Sequence, residues 1–325
     1  MRVASEQQSL SLVAAAALFS VAACSGSTEP RQNGTTHPGG VIAATIAVGQ
    51  RPYGIGVAGT TAVVTQLDGA QIVRLDLAAA RVVDSIHVGS VPTGITLFAN
   101  GAAAAVTNQM DGNVQFVDLT GKQSTGVVNG PSTTFRVLAS RDEKHVYATA
   151  SSGSLGVISL PGHSVEASLT VGGAPNGLAQ SPDGNMLYVS AMFGGITVVD
   201  TRSNTAVRSI QLSGTLQDIV VSPDGRELYV ADESAGVIHV LNATTGSETT
   251  QISMGASVFG LMLTPDGKQL YASSPSAGVL WIVDRASRSK LSTLPIGGIP
   301  RRIAFDETGK RAVVSNESGF VTVIE

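Results

Sequence analysis

A phrase of four turn residues followed by a short apolar run recurs along this chain, and that recurrence restricts its fold more than any other feature. It reads Ser181-Pro182-Asp183-Gly184 with Leu187-Tyr188-Val189, then Ser222-Pro223-Asp224-Gly225 with Leu228-Tyr229-Val230. It returns as Thr264-Pro265-Asp266-Gly267 with Leu270-Tyr271-Ala272, a step of about 41 residues. That step is the length of a supersecondary unit, within the range of one propeller blade. One complete unit is legible in residues 168–208, with β-branched runs at 177–180, 186–190, 196–200 and 206–210. Each run is too short for a helix and suits a strand. Pro at the second turn position and Gly at the fourth fit a type I turn. The unit is therefore a four-stranded antiparallel meander. Alone it exposes two apolar faces, so it needs copies of itself as neighbours.

Seven innermost-strand entries align: Pro52-Tyr53-Gly54-Ile55, Pro92-Thr93-Gly94-Ile95, Thr134-Phe135-Arg136-Val137, Pro175-Asn176-Gly177-Leu178, Leu216-Gln217-Asp218-Ile219, Val258-Phe259-Gly260-Leu261 and Pro300-Arg301-Arg302-Ile303. The third unit diverges most, with Ser140-Arg141-Asp142-Glu143 at its turn. The last unit has room for three strands only, ending Val321-Thr322-Val323-Ile324-Glu325. An orphan strand at residues 41–46 would complete it and close the ring, leaving only short protected edges. The expectation is an all-β, seven-bladed propeller spanning residues 41–325.

Ahead of it, Arg2 precedes an uncharged run at residues 10–23, shorter than the roughly 20 residues of a membrane-spanning helix. It fits a signal-peptide apolar region. The run ends Val21-Ala22-Ala23-Cys24 and resembles the lipobox of bacterial lipoproteins, with the chain's only cysteine where lipid attaches. Residues 1–23 then read as a signal peptide and 24–40 as a Gly/Pro/Ser/Thr tether. The resemblance implies that, once processed, Cys24 anchors the protein by its acyl chains to a membrane at the cell envelope. By the lipoprotein pattern this resembles, Ser25 in place of an acidic residue implies an outer-membrane or surface address. A single cysteine excludes an intramolecular disulfide. The formal net charge of −4 and the absence of a basic stripe argue against nucleic acid. A monomer is expected.

The strand ends carry a further likeness. Ala105-Val106-Thr107-Asn108 and Val313-Val314-Ser315-Asn316 approximate the Tyr-Val-Thr-Asn signature of YVTN-type β-propellers. Val48-Gly49, Val88-Gly89 and Val171-Gly172 resemble that family's Val-Gly turn, and Phe116-Val117-Asp118, Val198-Val199-Asp200 and Ile282-Val283-Asp284 its Val-Ile-Asp strand end. The likeness covers residues 41–325. It implies a propeller similar to surface-layer and periplasmic binding proteins and to lactonase-type propellers, a range of functions that fold alone does not narrow.

Up-and-down strand order places the inner-strand entries and the second-to-third connections on one face. The Ser-Pro-Asp-Gly turns fall on the other. The first face collects Tyr53, Phe135, Arg136, Asn176, Gln217, Asp218, Phe259, Arg301 and Arg302 at the channel mouth. The longer connections add Gln66, Asp68, Asn108, Asp111, Met192, Phe193, Asp232, Glu233, Asn316 and Glu317. Four blades carry Gly at the inner-strand start (Gly54, Gly94, Gly177, Gly260), which signals close backbone approach. The other three carry Arg136, Asp218 and Arg302. Charges at a narrow mouth cost desolvation unless paired or met by a ligand. Arg136, Arg301 and Arg302, with Asp218 opposite, therefore read either as an anion-binding cluster or as an internal ion-pair set filling the channel.

Asp118, Asp200 and Asp284 read as turn caps rather than metal ligands. No paired-histidine spacing, nucleophile elbow or phosphate loop occurs. No metal and no cofactor is expected. The first functional reading is a binding or scaffold protein, holding an unidentified protein or a small anionic ligand at the channel mouth through Arg136, Arg301, Arg302, Tyr53, Phe135, Asn176 and Phe259. The alternative is a lactonase-like hydrolase, with Asp218, Asp232 or Glu233 as general base.

Overall fold

The computed structural model describes residues 38–130 and 133–325. Cys24, the signal peptide and most of the tether lie outside the described residues. The described strands form seven four-stranded antiparallel sheets. Blade 1 runs outward through Pro52–Ala58, Thr61–Gln66, Gln71–Asp76 and Arg81–His87. Blades 2 to 6 repeat that order, and the chain is the all-β seven-bladed propeller its repeats predict.

The repeated turn forms as its residues dictate. Gly184, Gly225 and Gly267 donate their N–H to the carbonyls of Ser181, Ser222 and Thr264, each with positive φ. The first residue's hydroxyl bonds the turn aspartate, as Ser181 Oγ does to Asp183 Oδ1 at 2.5 Å. In blade 3, Glu143 adopts the same left-handed backbone at φ 52° and keeps the bond to Ser140. Its carboxylate accepts the Ala99 N–H of blade 2, so the divergent turn gains a tie to its neighbour.

Blade 7 takes Pro300–Phe305, Ala312–Asn316 and Phe320–Ile324 from the C-terminus and Ile42–Ala47 from the N-terminus. Ile46 pairs with Val321 and Ala47 with Phe320, and Val41 and Glu325 exchange backbone hydrogen bonds at 2.9 Å. The closing strand lies one residue beyond its predicted bounds of 41–46.

The core sits between blades. Each of seven apolar clusters joins two adjacent blades, and Tyr229, Ile238 and Val240 of blade 5 pack with Leu270, Ala272 and Trp281 of blade 6. Middle strands such as Val237–Asn242 are buried on both faces, while outer strands such as Arg81–His87 are largely exposed. This is the behaviour of a meander that hides apolar area only against its own copies.

A polar device holds the inner strands in register. In blade 7, Ser315 Oγ accepts the Arg302 N–H at 3.1 Å and donates to Tyr53 O of blade 1. Thr107 does the same for Gly94 N and Phe135 O, and Ser273 for Gly260 N and Arg301 O. The next blade's carbonyl comes so close that a Cβ on Gly260 would lie 2.1 Å from Arg301 O, and one on Gly54 2.4 Å from Thr93 O. That is the close approach the glycine series signals. Blade 5 carries Ala231 where others carry the hydroxyl, and there Asp218 N bonds Phe259 O directly at 3.3 Å.

Candidate functional site

Charged residues enter the channel where a blade lacks glycine. The inner strands are bulged at this point in blades 3, 5 and 7, between Thr134 and Val137, Leu216 and Ile219, and Pro300 and Ile303, as they are in the glycine-bearing blades 1, 2 and 4. A bulge re-aims a side chain, and Arg136, Asp218 and Arg302 converge on the axis. Arg302 Nη1 lies 3.0 Å from Asp218 Oδ2, and Arg136 Nη2 lies 3.5 Å from Asp218 Oδ1. Asp218 also accepts the Leu261 N–H at 3.2 Å. Arg302 Nη2 donates to Asn176 Oδ1 at 2.9 Å. Asn176 in turn donates to Gln217, whose amide reaches Glu233 at 2.5 Å.

The charges on the axis do not balance. Two guanidiniums face one carboxylate, and the Nε atoms of Arg136 and Arg302 are buried without a hydrogen-bond acceptor. Burial and the nearby Arg302 charge push Arg136 down to about 10, with Asp218 opposing the shift.

Arg301 takes a different partner from its neighbour. Its Nε donates to Glu317, which also receives Arg51 Nη2 at 2.6 Å, and Arg51 reaches Asp68 at 3.4 Å. Arg301 therefore belongs to a balanced rim network, not to the Asp218 cluster. Beneath that rim the mouth is filled. Tyr53 meets Phe135 edge-on at 5.9 Å and Phe259 at 6.1 Å, with Leu67 packed against them. Arg301 lies 4.4 Å and Arg302 4.9 Å from the Phe259 ring centre, in cation–π contact. Burial raises the Tyr53 phenol above its ordinary value, against the pull of Arg302 and Arg301.

Several predicted rim residues are loop caps. Asp232 is buried and accepts N–H groups from Thr215, Ser234 and Ala235. His239 Nε2 lies 3.4 Å from it, and His239 Nδ1 lies 2.7 Å from Glu248. Burial pushes the Asp232 carboxyl up, but these hydrogen bonds outweigh it and hold the group below the ordinary value. Asn316 accepts from Ile299 N and Ser318 N and donates to Gly297 O. Gln66 donates to Val48 O at 2.7 Å. Asp118 Oδ1 accepts Thr120 N and Gly121 N, and Asp284 Oδ1 accepts Ser287 N, as turn caps do. Phe193 is 66% exposed at its connection tip, as is Met110 at 71% on the same face. Among the described residues no group of three or more His, Cys, Asp or Glu side chains is placed to hold a metal.

The open space lies on the other side of the plug. A cavity of about 660 Å³ is lined by Arg136 and Asp218, by inner-strand ends of blades 2 to 6, and by turn residues including Ser140, Pro182, Pro223 and Pro265. It opens on the Ser-Pro-Asp-Gly face, opposite the channel mouth that the sequence places on the other face. Leu138, Val220 and Met262 mark it in the structure. They are apolar inner-strand residues only half-buried in the folded ring.

No family model matches the chain, and no curated protein matches it. Among solved structures it is similar to Kuenenia stuttgartiensis hydrazine synthase, with a TM-score of 0.79 and 20% identity over 85% of this chain and 96% of that one. At that identity the likeness is one of fold, the propeller already described.

Proposed function

We propose that the chain is a non-enzymatic binding protein of the bacterial cell envelope, a monomeric YVTN-type propeller anchored by lipid at Cys24. In this reading its axial channel holds a small anion. The observation that carries it is the uncompensated guanidinium charge of Arg136 and Arg302 around Asp218, with two buried Nε–H groups lacking acceptors. Leaving such donors unsatisfied costs about 1–3 kcal/mol each, more for charged groups, and an anion supplies the missing acceptor. The loop face with Phe193, Met110 and the Arg301–Glu317–Arg51 rim is left for a protein partner.

A hydrolytic reading needs a carboxylate free to take a proton from water. Asp218 is held by two arginines, Asp232 caps a loop, and Glu233 accepts from Gln217. All three candidates are engaged, which favours binding over lactone hydrolysis. The test is calorimetric titration of the full chain with mono-, di- and tricarboxylates and inorganic phosphate, alongside a lactone panel. Saturable binding of a monoanion that weakens in Arg136→Met supports the proposal. Lactone turnover, or no binding across the panel, overturns it.

A further inference from the structure

The channel is plugged at the loop face and open at the turn face, so a ligand reaching Arg136 must arrive from the side opposite the predicted mouth. Tyr53, Phe135, Phe259 and Leu67 close one side. The cavity of about 660 Å³ opens the other, with Arg136 and Asp218 at its floor. That volume is within the range of small-molecule sites.

We propose that this turn-face cavity binds an amphipathic monocarboxylate, head down on Arg136 with its aliphatic tail along the channel wall. The inference rests on the anion-binding reading above and adds the ligand's class, orientation and route. The wall supplies the tail's surroundings: Leu97, Leu138, Val220 and Met262 are apolar, line the cavity and are half-buried. The floor supplies the head's partner, because Arg136 lines the cavity with its guanidinium partly exposed and meets Asp218 only at 3.5 Å. Its planar donor fork matches a carboxylate.

Charge sets the ligand's valence. Arg136 and Arg302 share one Asp218 carboxylate, so a single added negative charge neutralises the cluster, and a second meets Asp218 repulsion. A monocarboxylate is therefore favoured over dicarboxylates and phosphate monoesters.

The experiment titrates the full chain with acetate, hexanoate and decanoate by calorimetry, with Arg136→Met and Val220→Glu as variants. Affinity is expected to rise roughly two- to four-fold for each methylene that enters the cavity. Arg136→Met is expected to weaken decanoate at least ten-fold. Val220→Glu, which leaves Arg136 in place and adds a carboxylate to the wall, is expected to weaken decanoate far more than acetate. Equal, Arg136-dependent affinity for acetate and decanoate would sink the amphipathic assignment while leaving the anion reading standing. Decanoate binding indifferent to Arg136→Met would overturn the head-group assignment. Failure of every monoanion to bind would remove both readings.

Discussion

Arg302 of blade 7 reaches past blade 6 to Asp218 of blade 5, Nη1 to Oδ2 at 3.0 Å, with both side chains 3% exposed or less. Arg136 makes a longer contact of 3.5 Å to the same carboxylate and is 17% exposed. The two arginines are thus unequal. Arg302 forms the buried pair, and Arg136 is the surplus charge.

That inequality predicts opposite stabilities. Arg302→Met strips Asp218 of its nearer partner and is expected to cost about 3–5 kcal/mol, as breaking a buried pair does. Arg136→Met removes a cation that burial already disfavours and leaves the pair intact. Its urea midpoint is expected to equal or exceed that of the parent. Equal losses in both variants would show that the three charges act as one indivisible structural set.

The hydroxyl between blades makes a second prediction. Ser315→Ala leaves Arg302 N and Tyr53 O, both buried, without their shared partner. The expected loss is about 1–3 kcal/mol. Gly260→Ala should cost more, because the added Cβ meets a backbone oxygen at 2.1 Å that no rotamer change can move. Thermal unfolding of both variants checks this, and a neutral Gly260→Ala would contradict the interblade geometry.

Ring closure is testable at one side chain and at one strand. Ile46 is 4% exposed in the cluster joining blades 7 and 1. Ile46→Ala is expected to cost about 2–5 kcal/mol. Deleting residues 41–47 also frees the edge of Phe320–Ile324, so its melting temperature is expected to fall further than that of Ile46→Ala. An unchanged melting temperature on deletion would mean that the ends do not hold the ring.

The ring was legible because Ser181-Pro182-Asp183-Gly184 and its copies state both turn chemistry and interval. The charges at 136, 218 and 302 were legible because each breaks a glycine series that backbone crowding enforces. Their partners were not. Arg301 and Arg302 are adjacent, yet one serves Glu317 at the rim and the other Asp218 on the axis, a division made by strand alternation and the bulge before Ile303. Asp232 and Glu233 look alike in sequence, but only the first has backbone N–H groups folded around it. The open side of the channel was hidden for another reason. Its plug is built from Tyr53, Phe135 and Phe259 of three separate blades, and no interval in the chain reports that their rings meet.

The last prediction concerns acid, and its sign follows from Asp84. Arg74 holds this carboxyl by two hydrogen bonds, helped by Lys122 Nζ at 2.7 Å, and lowers it from 3.8 to about 2 against the upward push of burial. Arg74 also donates to Leu119 O at 2.8 Å, so the pair ties blade 1 to blade 2. As pH falls, the unfolded chain takes up this proton before the folded one. The pair's stabilisation is therefore complete above about pH 4 and is lost as pH falls towards 2. Solvent screening keeps it near 0.5–1 kcal/mol, about the size of a well-made surface pair. Asp84→Asn should lower the unfolding free energy from urea titration by that amount at pH 6 and by almost nothing at pH 2. A gap between parent and variant that stays constant across the two pH values would show that Asp84 acts through packing rather than through its charge.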